Sequence, residues 1–340
     1  MKFNFSIIFL ILYLKSFSQL SEKVNNLYQK LTSNNTLESE FIGYSGMQSE
    51  NYLNFKEISK IANDDEILYM AENGNEAIKS YMSSILVDRK SKNLSKLFSN
   101  YSNNDKEVQI RTGCMGYTST IAAELYRYVF YQKQKIDFIN AANENHEDVK
   151  EAEKEIYSDD FNEMHQTNWT KESVDSLLII YNELAIVNDK INPKLLNTIF
   201  RLNDFKFNNY KRVKYFALKY PTEEILATLA SFKNREDLKL FHENSENSIL
   251  AISIFPDATF IPYLQKIEKE NIENVNYYDA ISAMCFDEIM KIKENIFTTL
   301  KNSNNIVDQE YLYYFEESLK KGNCDNNKLI LEKIAEYNNR

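Results

Sequence analysis

The sequence predicts an all-α fold, an α-solenoid of stacked short helices, on three observations. The first is compositional: 340 residues hold only 6 Gly and 4 Pro, well below the roughly 7% and 5% of average usage. β-barrels, Rossmann folds and P-loops need more turn residues than that. The second is that apolar residues recur at helical spacing almost everywhere after position 50. The third is that several helix–turn–helix units resemble one another. With 43% hydrophobic and 26% charged residues the chain can bury a large core, which excludes disorder and a disulfide-stapled miniprotein. Fifty acidic against forty basic residues give a net charge of −10. That balance opposes a sequence-independent grip on nucleic acid or on an anionic membrane.

At the amino terminus, Met1 and Lys2 precede an apolar run from Phe3 to Leu14, followed by Lys15, Ser16, Phe17 and Ser18. The run is about twelve residues, short of the ~20 a spanning helix needs. Small residues at Ser16 and Ser18 suit a signal peptidase, so residues 1–18 read as a signal peptide cleaved ahead of Gln19. The expected destination is periplasmic or extracellular, with no membrane insertion after cleavage. Residues 19–131 then read as an N-terminal helical-repeat region, 132–170 as an acidic insert or linker, and 171–340 as a C-terminal helical-repeat region.

Three stripes carry the helical reading: Val174, Leu177, Leu178, Tyr181, Leu184 and Ala185; Ile225, Leu226, Leu229 and Phe232; and Ile289, Ile292, Ile296 and Leu300. Asn192, Thr222, Asp257 and Asp308 stand where the first free N–H groups of a helix need an acceptor. The segment from Ile225 to Phe241 aligns with Ile249 to Leu264, and a weaker copy runs from Ile85 to Phe98. One such helix pair cannot bury its own face, so neighbours must stack.

The stretch Phe41-Ile42-Gly43-Tyr44-Ser45-Gly46-Met47 through Tyr52, then Ala77 through Met82, and Arg111 through Cys114 resembles exported bacterial proteins with degenerate HEAT-type repeats. The resemblance is best over residues 41–130 and thinner over 173–300. It implies an armadillo-type superhelix that binds partners along a curved face, and it implies no activity.

The insert is the one shift in composition. Between Asp137 and Glu163 stand ten acids against Lys150 and Lys154. The stripe Val149, Ala152 and Ile156 is too narrow to hold a helix on a core, so a solvated helix and loop is expected. His146 and His165 lie here beside carboxylates, but no H-E-x-x-H or other ligand spacing occurs and no metal site is expected. Cys114, flanked by Gly113 and Gly116 with a helix expected near Thr118, reads as a cysteine in a tight turn between helices rather than a nucleophile. Cys285 shares a helical face with Tyr278 and Ile281, which favours a buried small hydrophobe. A bridge from it to Cys324, behind the helix-capping Gly322, would close about 40 residues and contribute roughly 4 kcal/mol.

Tyr210, Lys211, Arg212, Lys214, Tyr215 and Lys219 form a local basic and aromatic group in an acidic chain. Arg and Tyr are favoured where interfaces are desolvated, so Tyr210, Arg212, Lys214 and Tyr215 are the candidate binding residues. There is no G-x-S-x-G, G-x-G-x-x-G or P-loop motif, and no catalytic residue or cofactor is assigned. The expected function is an exported, non-catalytic scaffold whose partner is another protein. The alternative is a secreted hydrolase using the His-containing insert or Cys114. Material recovered outside the cell is predicted to begin at Gln19; intact mass spectrometry checks this, and a retained Met1 on a membrane-bound species contradicts it.

Overall fold

The computed structural model describes residues 20–144, 167–303 and 305–338. The expected signal peptide, and with it His146, His165 and most of the acidic insert, lie outside the described residues. The chain divides into two compact units, Met1–Ile199 and Phe200–Arg340. Seventeen α-helices among the described residues make the protein mostly helical.

In the first unit α1 (Glu22–Thr32) is followed by strands β1 (Thr36–Ile42) and β2 (Met47–Gln48). Helices α2 (Glu50–Ile61), α3 (Asp64–Asn73), α4 (Glu76–Asp88) and α5 (Leu94–Asn103) come next. Strands β3 (Glu107–Gly113) and β4 (Met115–Thr120) then lead into α6 (Ile121–Glu144) and α7 (Lys171–Val187), and α8 (Pro193–Leu202) carries the unit boundary. The helix starts have a local cause. Ser49 accepts from the Tyr52 N–H and Asn75 from the Ile78 N–H, while Asn63 and Glu66 form a reciprocal capping box.

Helix α4 is buried along most of its length, through Ile78, Met82, Leu86 and Val87. It packs on α3, α6 and β1. In the core α5 meets α7: the rings of Phe98 and Tyr181 stack 3.9 Å apart, 5° from parallel, with Tyr126 of α6 6.2 Å from Tyr181. Each such buried aromatic contributes on the order of 2–3 kcal/mol by area alone.

The expectation of an essentially sheet-free chain is corrected here. Four strands form one sheet in the order β2-β1-β3-β4, with β1 parallel to β3 and both hairpins antiparallel. The low glycine count concealed it, because four of the six glycines (Gly43, Gly46, Gly113 and Gly116) are concentrated at the two hairpins. Gly43, Gly46 and Gly113 have φ of 73°, 62° and 53°, the left-handed backbone that tight hairpin turns require. Because β1 and β3 run parallel, both turns project from the same end of the sheet, and the Gly43 N–H donates to the Gly113 carbonyl at 2.7 Å.

The two sheet edges differ. β2 is two residues long, so most of β1 has no strand outside it. There the Tyr81 hydroxyl of α4 accepts from the Glu38 N–H and donates to the Glu38 carbonyl, each at 2.7 Å, replacing a missing strand with one side chain. On the opposite edge, nothing among the described residues pairs with the outer side of β4.

The second unit contains α9 (Tyr210–Lys219), α10 (Glu223–Ala230), α11 (Leu238–Glu243), α12 (Ile249–Ile254), α13 (Ile261–Ile267), α14 (Val275–Ala283), α15 (Met290–Lys301), α16 (Ile306–Lys321) and α17 (Asp325–Asn338). Alternate helices stack: α10 on α12, α12 on α14, and α14 on α16. The intervening α11, α13 and α15 are each entered through a 3-10 turn, at Arg235–Asp237, Ala258–Phe260 and Asp287–Ile289. Asn192 and Asp257 accept backbone bonds at the element starts expected of them. Asp308 does not cap: α16 begins earlier because Asn305 takes the Val307 N–H at 3.1 Å, which places Asp308 inside the helix.

Cys285 is bonded to Cys324, which corrects its reading as a buried hydrophobe. Helix α14 ends at Ala283, so the face shared with Tyr278 and Ile281 does not extend to position 285. Gly322 permits the close approach on the other strand of this junction, since a Cβ there would strike the Ser282 carbonyl oxygen and Asn327 Nδ2. Beside the bridge, Lys293 is fully buried. Its ammonium donates to the Met284 carbonyl at 3.1 Å, to Asn326 Oδ1 at 2.8 Å and to Asn327 Oδ1 at 2.6 Å. These are neutral acceptors, and burial pushes the lysine down to about 8.

A native-state value below the unfolded one, about 10.4, means that the unfolded chain holds more protons between these limits, so stability rises with pH across that window. Comparing wild type with Lys293→Met cancels the other titrating groups. The wild type is predicted to gain about 3 kcal/mol relative to the variant from pH 7.5 to 10.5, read by denaturant melts with the disulfide intact; a flat difference contradicts the buried charge.

Candidate functional site

Helix α9 carries the candidate binding residues, and its helical spacing sorts them into two sets. Val213, Phe216 and Ala217 face the core and are buried. Tyr210 and Lys214, one turn apart, flank that face. The Tyr210 ring meets Phe232 edge-on at 5.3 Å, and its hydroxyl accepts from Asn234 Nδ2 at 2.7 Å and from Lys214 Nζ at 3.0 Å. The same hydroxyl donates to Asp237 at 3.1 Å, and Lys214 pairs with Asp237 at 2.8 Å. Asp237 is 1% exposed. Hydrogen bonds to Asp237 and Tyr210 hold the Lys214 ammonium well above the usual lysine range. Tyr210 and Lys214 are thereby committed to neutralising a buried carboxylate.

Arg212, Tyr215 and Lys219 form the outward set, with spacing i, i+3, i+7. The Arg212 guanidinium lies 4.8 Å from the Tyr215 ring centroid and 4.9 Å from that of Phe216. Lys219 Nζ lies 5.8 Å from the Tyr215 centroid and 4.9 Å from that of Tyr220. This ladder of cations over rings is preorganised, and Leu218 beside it is 64% exposed. The spacing of six residues in the sequence did not separate the two sets. The separator is Asp237, which follows Tyr210 at a distance of 27 residues.

A second exposed region is the pair of hairpin tips in the first unit, which the sequence reading missed. Phe41, Tyr44, Met47, Met115 and Tyr117 are all exposed, Tyr44 completely. A shallow groove between the tips is lined by Met47, Arg111, Cys114 and Met115. Cys114 is exposed and unbridged at the β3–β4 turn, not enclosed between helices, and the helix expected near Thr118 starts at Ile121 because β4 occupies the intervening residues. The signal that could have found the tips is the close spacing of Gly43 with Gly46 and of Gly113 with Gly116, four of the six glycines gathered at two points.

Other polar clusters serve the fold. In a cleft between α3, α4 and α5, Tyr101 donates to the Ala71 carbonyl at 2.6 Å, Glu72 pairs with Lys96 and Lys106 with Glu76. His242 Nε2 lies 3.0 Å from Thr259 Oγ1, and its ring stacks on Phe260. Among the described residues no group of three or more His, Cys, Asp or Glu side chains is placed to hold a metal, and no helix is long and apolar enough to cross a membrane.

The class these observations define is a mostly helical protein with a small mixed sheet, exposing one cation–aromatic helix face and one apolar pair of hairpin tips. No protein-family model, curated protein or solved structure matches the chain.

The two sets on α9 are predicted to respond differently to substitution. Lys214→Met strips Asp237 of its cation and is expected to cost about 2 kcal/mol or more. Lys219→Ala, on the solvent side, is expected to leave the unfolding midpoint where it is in wild type. Chemical denaturation of both variants checks the assignment.

Proposed function

We propose that the chain is an exported, non-catalytic scaffold that holds another protein, and that its second unit is an α-solenoid of HEAT-like helix pairs. The alternate stacking of α10, α12, α14 and α16 supports the repeat reading, since each pair covers the apolar face of the next. The copies aligned by sequence, at Ile225 and Ile249, fall in α10 and α12, at equivalent places in successive pairs. Export is supported by the leader-like run ahead of Gln19 and by the Cys285–Cys324 bridge, which persists in oxidising compartments.

The single observation that carries the binding role is the outward ladder of Arg212, Tyr215 and Lys219. A rigid helix presents aromatic and guanidinium groups already arranged against one another, so little side-chain entropy is lost when a partner covers them. The partner segment this chemistry fits is acidic with an apolar residue to meet Leu218. Its positive charge also sets the face apart on a chain of net charge −10.

Affinity capture from the native exporting cell, using the wild-type mature chain and an Arg212→Ala/Tyr215→Ala variant in parallel, tests the proposal. The expected result is a prey protein retained by wild type and lost at least tenfold by the variant, the scale of an interface hot spot. Equal retention by both chains removes α9 from the interface.

A further inference from the structure

The disulfide and the buried lysine of the second unit meet at one junction. Lys293 is fully buried, and its ammonium is held by oxygens of Met284, Asn326 and Asn327. Met284 immediately precedes Cys285, while Asn326 and Asn327 follow Cys324 by two and three positions. The acceptors therefore lie on the two segments that the bridge joins. We propose that the bridge is a redox-sensitive latch: in the oxidised chain it holds these segments closed over the Lys293 ammonium, and reduction by a dithiol opens the junction and admits water to the charge.

The balance at the junction sets charge against covalent restraint. All three acceptors are neutral, so an ammonium sits out of water with its hydrogen bonds made and its charge uncompensated, an arrangement that costs stability. The other ties across the junction are neutral as well. Asn327 Nδ2 donates to the Ser282 carbonyl at 3.0 Å, and Asn326 Nδ2 to the Phe286 carbonyl at 3.2 Å. Opening exchanges such bonds for bonds to water at little net loss, and it returns a desolvated charge to solvent. While Cys285 and Cys324 are bonded, the two segments cannot separate, and the burial persists.

The bridge is also placed to be reached. Cys285 is exposed and Cys324 is buried, and exposed disulfides are the labile, regulatory ones. A thiolate of the dithiol attacks Cys285 Sγ, the bond between the two sulfurs breaks, and Cys324 leaves as a thiolate that takes up a proton. The second thiol of the reductant then gives its proton to Cys285 as it displaces it from the mixed disulfide. The reductant departs as its own cyclic disulfide. Two electrons have passed from the dithiol to the bridge, and re-oxidation reverses the change.

The test uses the full mature chain in a Cys114→Ser background, so that Cys114 cannot exchange with the bridge. Amide hydrogen exchange is followed by mass spectrometry in peptides covering 282–290 and 322–330, before and after treatment with dithiothreitol. Reduction is expected to speed exchange roughly tenfold in both peptides, reversibly, while peptides of α9 and α10 keep their rates. In Lys293→Met the same treatment should change exchange by less than about twofold, because no charge remains to draw the junction open. A Cys285→Ser/Cys324→Ser variant should match the reduced chain without any reductant. Acetylation by N-hydroxysuccinimide acetate gives a readout that needs no lysine variant: Lys293 should react far more slowly than the exposed Lys291 of the same helix in the oxidised chain, and approach its rate after reduction.

Exchange and acetylation unchanged by complete reduction overturn the proposal, as does a bridge that dithiothreitol leaves intact in the folded chain. Equal acceleration in wild type and Lys293→Met also overturns it, because the bridge then acts without the charge. Loss of protection throughout the second unit, α9 included, does the same and makes the bridge a staple of the whole unit. None of these readouts depends on the outward face of α9, so this inference and the binding role fail separately.

Discussion

The parallel pairing of β1 with β3 is the contact on which the first unit depends. It joins residues 36–42 to 109–113, so helices α2 to α5 must fit within the closed loop between the two strands. Closing so long a segment costs entropy before any contact compensates, although the cost grows only slowly with length. The compensation comes from α4, which lies against the strand and sends Tyr81 to its open edge. A phenol there does the work of a neighbouring strand, and burial holds its hydroxyl far above the range where it would ionise. The hydrogen bonds it makes to Glu38 are therefore insensitive to ordinary changes of pH. The same parallel arrangement sets the direction of both hairpins, so the exposure of Tyr44 and Cys114 at one end follows from a pairing decided at the other.

The second unit solves its polar problems inside the core. Asp237 and Lys293 are both buried, yet they are handled differently. Asp237 has a counter-ion in Lys214 and a phenol in Tyr210, so its charge is compensated locally. Among the described residues Lys293 has only neutral oxygens as acceptors, contributed by Met284, Asn326 and Asn327. A buried charge without a counter-ion costs stability, but its fixed fork of acceptors specifies how α14, α15 and α17 meet. Asn327 extends this role by donating to the carbonyls of Ser282, Leu319 and Gly322, which caps α16 and joins it to α14 through one amide.

Much of the helical architecture was legible because its causes are local. The stripe of Ile289, Ile292, Ile296 and Leu300 is wholly buried, as its period requires. Asn192 and Asp257 stand where helix entry needs an acceptor. What escaped was governed by distance. β1 is strand partly because β3 lies beside it; β3 does alternate, with Val108 and Ile110 buried between exposed Glu107, Gln109 and Arg111, but over so short a run that the surrounding helical stripes masked it. Cys285 and Cys324 are separated by 39 positions, and no spacing rule could choose between burial and bonding. For the α9 face, composition identified the right helix but could not divide its residues. Tyr210 turns inward because Asp237 needs neutralising, whereas Tyr215 has no such demand on it and stays at the surface. The hairpin tips were hidden by a glycine count averaged over the whole chain.

The disulfide bears on how the second unit comes apart. Where each helix packs mainly on its near neighbours, the last members of the series have a partner on one side only and fray first. The bridge between Cys285 and Cys324 ties the end of α14 to the start of α17, so α15 and α16 lie within a covalent ring. A terminal helix pair can no longer peel away alone, because opening it must disturb α14 and its contacts with α12. The stretch from α14 to α16 thus behaves as one cooperative block, and a protease that cuts between Cys285 and Cys324 leaves its two pieces joined.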